Sequence, residues 1–486
     1  MSQYDYASWE IVIGLEVHCQ IISKSKLFSA SATDFGNQPN TNVSFMDAAM
    51  PGTLPVLNQE CVRQAVKTGL GLNAKINKKS IFSRKNYFYA DLPHGYQISQ
   101  FDQPIVESGF IRLHLANNIT KDIKIARLHL EQDAGKSLHN RDSNYSYIDL
   151  NRSGIGLMEI VSMPDIRSAQ EAGAYLSKLR TILRYLGTCD GDMSQGSMRC
   201  DANISVRKPG NPYGKRCEIK NINSIRFVMQ AIEIESKRQI SILENGGQIN
   251  EETRLFDEHL LQTRPMRSKE TIHDYRYFPE PDLLPLILTD EFITKIKRSL
   301  PELPDKKKAR FIRDYKLSDY EVSILIAEKE KADYYEAVVN EKDRNSKLVA
   351  NWVITNLFSI LNKLQISITE SPISKKYFGE LLDLISNNTI SERIAKDVFE
   401  IMIKTGDNPL KIIQQKDLIQ INDIDKIEKI IDEILQNNID KVKQYQSGKE
   451  KILSWLIGQV MRFTQGKANP IIVNKIMIQK IKDNCK

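Results

Sequence analysis

The sequence predicts an α+β protein: an antiparallel-sheet-rich N-terminal domain, then an all-α domain and a small helical tail domain. Three observations carry that expectation. Several segments of the first half alternate apolar and polar residues at period two, as half-buried strands require. All seven histidines lie between His18 and His273, and eighteen of the twenty-three glycines precede residue 250. Beyond Asp290 apolar residues recur at helical spacing, as in Val349, Trp352, Val353, Leu357, Ile360 and Leu361, the mark of a helical core. Glycine turns and titratable groups coincide in the first part, so the chemistry is expected there. The expected domains are residues 1–292, 293–415 and 416–486. The first limit falls in a Pro-punctuated, then basic, stretch at 279–310.

Residues 11–20 (IVIGLEVHCQ) read as a strand because the first half is branched and apolar. Glu16 and His18 then share one face, with Leu15, Val17 and Cys19 on the other. A carboxylate beside an imidazole can hold a divalent metal or exchange a proton, although a solvent-facing strand would look the same. Residues 29–58 form a loop ending in the rigid turn MPGTLPVLN, followed by a short helix at 60–72. The stretch 84–100 (RKNYFYADLPHGYQISQ) packs basic residues, tyrosines and a Pro/Gly turn together. It suits stacking on a base, or equally a tyrosine-rich hairpin over the core.

A second strand at 123–131 sets Arg127, His129 and Glu131 on one face and runs into Gln132-Asp133-Ala134-Gly135-Lys136, then His139. Glu159 stands alone in an apolar run, where an ionised carboxylate is costly unless paired or metal-bound. A helix is expected over 165–186, capped by Asp165. Strict alternation over 199–207, a turn at 208–214 and a return at 216–221 predict a hairpin whose polar face offers Asp201, Asn203, Glu218 and Lys220. The helix at 224–244 stops at Asn245-Gly246-Gly247. A basic, aromatic run at 266–279 follows, and amphipathic helices resume at 423–438 and in the compact basic module 448–470.

Charge and cysteine usage narrow the function classes. The net charge is +7, but residues 441–486 hold ten Lys or Arg against only Glu450 and Asp483, which points to a polyanionic partner. Six scattered cysteines without a C-x-x-C pair argue against a disulfide framework or structural zinc and favour a reducing compartment. The polar N-terminus lacks a secretory pattern, and no apolar run approaches the roughly 20 residues that span a bilayer. A cytoplasmic protein without membrane attachment is expected.

The first part thus supplies Glu16, His18, Glu131, Glu159 and Glu218 on several strands, with Lys85, Arg127, Lys136, Arg199 and Lys220 as basic groups. Hard oxygen ligands with one imidazole suit magnesium or manganese. Carboxylates, metal and Lys/Arg together are what phosphoryl transfer from ATP requires. No Walker-type G-x-x-x-x-G-K-[ST] is present, so an ATP site would not be a P-loop. The residues alone reach a metal-dependent enzyme acting on phosphate-bearing or carboxyl substrates, with a nucleic-acid-binding tail.

Longer motifs carry a resemblance. GLEVHCQ (14–20), SKSKLFS (23–29), MPGTLPVLN (50–58), RKNYFYADLPHGYQISQ (84–100), HLEQDAGK (129–136), GSMRCDANISVR (196–207), EIKNINS (218–224), DYRYFPEPDLLPL (274–286) and GKEKILSWLIGQVMRFTQGKANP (448–470) resemble the B subunits of the bacterial and organellar glutamyl/aspartyl-tRNA amidotransferases. The resemblance covers nearly the whole chain. It implies a cradle domain using ATP and Mg2+, a helical domain, and a tail that grips tRNA. The cradle would phosphorylate the side-chain carboxylate of Glu misacylated on tRNA(Gln), or Asp on tRNA(Asn), and ammonia from a separate amidase would displace the phosphate. By motif, Glu16, His18, Glu131, Glu159 and Glu218 would hold metal ions, and Lys85 and Glu131 would act at the reaction centre. Arg199, Asp201 and Lys220 would meet the nucleotide, and Lys449, Lys451, Arg462 and Lys467 the tRNA. Gln132 departs from the commoner EEDAGK and, lacking charge, receives no metal role. The chain shows no Ser-Ser-Lys-like amidase cluster, which implies a complex with two further subunits, one an amidase (glutaminase) and one small. A metal-dependent RNA hydrolase and a non-catalytic tRNA scaffold remain as alternatives.

Overall fold

The computed structural model describes residues 8–138, 144–266, 275–418, 421, 423–447, 449–464 and 466–483. His139, the basic run 267–274 and Gly448 lie outside the described residues. The chain forms two compact units, Met1–Lys307 and Lys308–Lys486.

The first unit runs β1 (Glu10–Gln20), α1 (Gln59–Gly71), β2 (Lys75–Ile76), β3 (Lys79–Ser80), β4 (Phe82–Asn86), β5 (Tyr96–Gln100), β6 (Val106–His114) and β7 (Thr120–Gln132). It continues as β8 (Lys136–Leu138), β9 (Tyr147–Asp149), β10 (Gly156–Ser162), α2 (Ala169–Leu186), β11 (Met198–Arg207), β12 (Cys217–Lys220) and α3 (Ile225–Glu244). Then come β13 (Glu252–Asp257), β14 (Gln262–Pro265), β15 (Phe278–Pro279), β16 (Leu286–Ile287) and α4 (Asp290–Arg298). Nine strands make one sheet in the order β14-β13-β12-β11-β1-β10-β7-β6-β2. Only β12 and β13 pair parallel in it; the other neighbours are antiparallel.

The first strand of the chain is the middle of this sheet, and its alternation explains why. Ile13, Leu15, Val17 and Cys19 are fully buried and join one core with Tyr175, Leu176 and Leu179 of α2 and Val228, Ala231 and Ile232 of α3. The opposite face carries Glu16 and His18, both partly exposed. The hairpin expected over 199–221 forms as β11 and β12, with Asn203 opposite Glu218. The stretch 84–100 forms the hairpin β4–β5, which with β15 makes a separate three-stranded sheet.

One helix start is corrected. Helix α2 begins at Ala169, not at Asp165, because Ser168 Oγ accepts from Glu171 N at 3.1 Å, while the Asp165 carboxylate accepts from Lys124 N. Ser168 satisfies an orphan amide of the first turn, which is what a cap must do. Helix α4 packs Phe292, Ile293 and the buried Ile296 against the first core, so the limit expected at residue 292 falls inside it.

The second unit is helical in its described residues. One core gathers Phe311, Tyr335, Trp352, Phe378 and Val398. A smaller one gathers Ile427, Ile431, Leu456, Val460, Val473 and Met477. Of the stripe over 349–361, all but Ile360 are buried. Among the described residues, no helix is long and apolar enough to cross a membrane.

Candidate active site

The polar face of the central strands builds the site by register. Antiparallel pairing sets His18 of β1 opposite Glu159 of β10, and Glu159 opposite His129 of β7. On the other side of β1, His18 faces Arg199 of β11. Neighbouring strands lie about 4.8 Å apart, so one row across the sheet brings these side chains together. Glu131 lies two residues along β7 on the same face, which closes the group.

His18, Glu131 and Glu159 each offer one ligand atom within 4.8 Å of the others. His18 Nε2 is 3.6 Å from both Glu131 Oε1 and Glu159 Oε2. His129 Nε2 approaches Glu159 Oε2 at 2.8 Å and Glu131 Oε2 at 3.4 Å. Ser99 Oγ of β5 donates to Glu131 Oε2 at 3.1 Å. Both carboxylates are buried. Burial alone would raise them, yet the two imidazoles outweigh it and hold Glu131 below and Glu159 well below the usual carboxylate range. Burial likewise disfavours charged histidine, but the facing carboxylates win: His18 is raised and His129 is pushed up to about 9. Two buried carboxylates thus draw positive charge to this site, here from the two imidazoles.

The donor set fits a hard divalent cation. It presents two carboxylate oxygens and one imidazole nitrogen, and the strand alternation turns Cys19 into the core, away from His18. His129 is the functional candidate that the sequence reading missed. It stood on the expected face beside Glu131, and its i−2 spacing was the available signal.

The remaining candidates separate into distinct places. Glu16 is not in the three-ligand group; it accepts from Asn203 Nδ2 at 2.8 Å. Burial, then the Glu159 and Glu218 charges, raise its pKa. Glu218 is also outside the group, held by Lys220 Nζ at 2.9 Å and Thr253 Oγ1 at 2.9 Å. Lys220 bridges Glu218 to Asp201, 2.7 Å away. Arg199 pairs with the buried Asp133 at 3.0 Å. A cavity of about 360 Å³ opens beside Glu16, with Gly14, Ser162, Asn203, Lys215 and Arg216 in its wall. Arg199, Asp201 and Lys220 lie outside that lining.

Lys85 on β4 lies within the electrostatic reach of the carboxylate pair. Burial would lower its pKa, but the Glu131 charge and its neighbours raise it instead, so the ammonium stays charged. In the second unit Lys449, Lys451 and Arg462 are exposed. Lys467 is half-buried and pairs with Asp417 at 3.0 Å.

Comparison with known proteins agrees with this architecture. Residues 11–294 match the GatB/GatE catalytic domain, and residues 333–481 match the GatB domain. The B subunit of the aspartyl/glutamyl-tRNA(Asn/Gln) amidotransferase of Granulibacter bethesdensis is 58% identical over 470 residues, covering 97% of both chains. That of Paramagnetospirillum magneticum is 56% identical over 480 residues, covering 99% of both. That of Rickettsia rickettsii is 56% identical over 473 residues, covering 97% of this chain and 98% of the relative. With both units matched and relatives aligned nearly end to end, this chain belongs to the GatB/GatE family of aspartyl/glutamyl-tRNA(Asn/Gln) amidotransferase B subunits.

Proposed function

We infer that this chain, as the B subunit of a tRNA-dependent amidotransferase, carries the activating half of transamidation. The side-chain carboxylate of Glu on tRNA(Gln), or Asp on tRNA(Asn), attacks the γ-phosphorus of ATP. The bond from that phosphorus to the ADP oxygen breaks, leaving an acyl phosphate. Ammonia then attacks the acyl carbon, the carbon–oxygen bond to phosphate breaks, and the amide and inorganic phosphate result. The observation that carries this reading is the His18, Glu131 and Glu159 group, its two carboxylates buried, whose charge acts on the Lys85 ammonium.

These residues would hold Mg2+, which when bound neutralises phosphate charge and orients the transferring group. Lys85 brings a positive charge to the oxygens on which negative charge builds. His129 and Ser99 hold the Glu131 and Glu159 oxygens in place through the bonds described above. Lys215 and Arg216 in the cavity beside Glu16 supply charge suited to a triphosphate, and Arg199, Asp201 and Lys220 line the neighbouring strands. We assign Glu16 and Glu218 to a second, outer acidic position rather than to the three-ligand group. The exposed Lys449, Lys451 and Arg462, with Lys467, would take the tRNA backbone. The sheet unit, the helical residues that follow it and residues 416–486 would divide activation, spacing and tRNA grip between them. A partner amidase (glutaminase) would supply ammonia, and a small third protein would complete a cytoplasmic heterotrimer.

The test is the complex with Glu-tRNA, ATP and Mg2+, followed by ADP release and Gln-tRNA formation. Glu131→Ala is expected to abolish both products and keep tRNA binding. Turnover of RNA without ATP would favour a hydrolase instead, and full activity of Glu131→Ala would favour a scaffold.

A further inference from the structure

Lys85 has an unusual setting for a lysine beside acids. Among the described residues no carboxylate forms an ion pair with its Nζ, and two tyrosine rings lie near it. The Nζ lies 4.9 Å from the centre of the Tyr275 ring and 5.8 Å from that of Tyr87. Those two rings meet edge to face at 6.0 Å. Tyr275 in turn meets Tyr277 at 6.1 Å, and Tyr277 stacks on Phe101 at 4.1 Å with 7° between planes.

Hydrogen bonds hold the main chain that carries Tyr275. Asn86, next to Lys85 on β4, donates from its N to Tyr275 O at 2.9 Å. Its Nδ2 donates to Tyr275 O at 3.1 Å and to Arg276 O at 2.8 Å. Arg276 itself sits at φ 47, a left-handed backbone uncommon for a residue with a Cβ. Tyr87 is tied to the strand of Glu131: its OH donates to Gln97 Oε1 at 3.3 Å, and Gln97 Nε2 donates to Gln132 O at 2.7 Å.

Ring faces attract an ammonium without neutralising it. A carboxylate in contact would neutralise the charge and occupy the N–H donors. We propose that Tyr275, seated by Asn86 and backed by Tyr87, is a positioning residue that holds the Lys85 ammonium clear of the carboxylates, so that its donors meet the anionic oxygens of the acceptor carboxylate and phosphoryl group. The proposal rests on the function inferred above.

The test uses the complete complex with Glu-tRNA and ATP. Tyr275→Leu is expected to lower kcat by about tenfold with KM for Glu-tRNA within about twofold, because the ring acts through Lys85 on the chemical step. Tyr275→Phe keeps a ring face and is expected to restore most of kcat. A readout independent of turnover is the 13C signal of reductively dimethylated Lys85 in the full chain, identified by its loss in Lys85→Arg. Ring currents should displace it from the other lysines in the unsubstituted chain. Equal kcat for the Leu and Phe variants would overturn the proposal, as would an undisplaced Lys85 signal. Full activity of Lys85→Ala would instead bring down the function on which the proposal rests, and is a separate result.

Discussion

The two units handle charge in opposite ways. The sheet unit buries ionised groups at its centre: Glu131, Glu159 and His129, the Lys26–Asp47 pair at 3.1 Å, and Asp133 against Arg199. The helical unit buries apolar stripes, with Arg344 as its buried, multiply paired cation. Only the sheet unit holds a three-ligand group among the described residues. Geometry accounts for the difference. A sheet lines up residues from four strands in one row, and so can surround a buried charge with partners from several directions. Helices packed on stripes offer each other mostly side chains of one kind. The sheet unit gathers charge inside, and the helical unit keeps apolar side chains there with Arg344 as its buried charge.

The sharpest way to break that contrast is Glu131→Gln in the complex. Loss of ADP release by about 10³-fold or more is expected, with thermal stability and tRNA binding near normal; a mere tenfold loss would make the group structural. Next is the surface of the tail. Lys449, Lys451 and Arg462 changed together to Gln should weaken tRNA binding about tenfold to a hundredfold and flatten its salt dependence by about two to three units of slope. Basal ATP hydrolysis without tRNA should stay unchanged.

Within the helical unit two glycines sharpen the comparison. Gly379 lies on the helix Lys375–Ser386 against Arg344, where an added Cβ would meet Arg344 Cζ at 2.5 Å. Gly379→Ala should therefore lower stability by about 2 kcal/mol by forcing this paired guanidinium to move. A denaturant melt of the full chain measures it.

Asp383 gives the pH dependence. Burial would raise its carboxyl, but bonds from Arg344 and Lys342 outweigh burial and hold it below the usual range. A carboxyl depressed on folding contributes stability above its unfolded pKa near 4 and loses it as pH falls through the folded value. Asp383→Asn should cost about 1 kcal/mol at pH 7, since solvent screens a partly exposed pair, and should remove that share of acid sensitivity below about pH 4.

The smallest effect belongs to Gly458, exposed in the helix Lys451–Phe463 with nothing within 4 Å of an added Cβ. Gly458→Ala should stabilise that helix by about 0.5–1 kcal/mol in the same melt.

Much of this could be read from the chain. The face of β1 followed from period two, and Glu159 stood out because an unpaired charge does not belong in an apolar run. What the sequence withheld was register. Glu131 joins Glu159 and His18 because β10 pairs between β1 and β7, and no local pattern states that order. Residue type alone therefore grouped Glu16 and Glu218 with them, whereas Asn203 and Lys220 engage those acids instead. The start of α2 was a different failure. Asp165 and Ser168 can both cap, and Glu171, three residues after Ser168, was the capping-box signal that decides between them.

The central place of β1 has a consequence for synthesis. Its partners are β10 and β11, so the strand made first waits for residues Gly156–Ser162 and Met198–Arg207 before either edge is paired. His18 leaves the ribosome well before Glu159, and the two meet only once about half of the sheet unit has been translated. At roughly 5–20 residues per second, that is on the order of ten seconds or more during which an apolar strand stands open. The alternation that centres β1 in the finished sheet is also the segment that nascent-chain chaperones would have to shield.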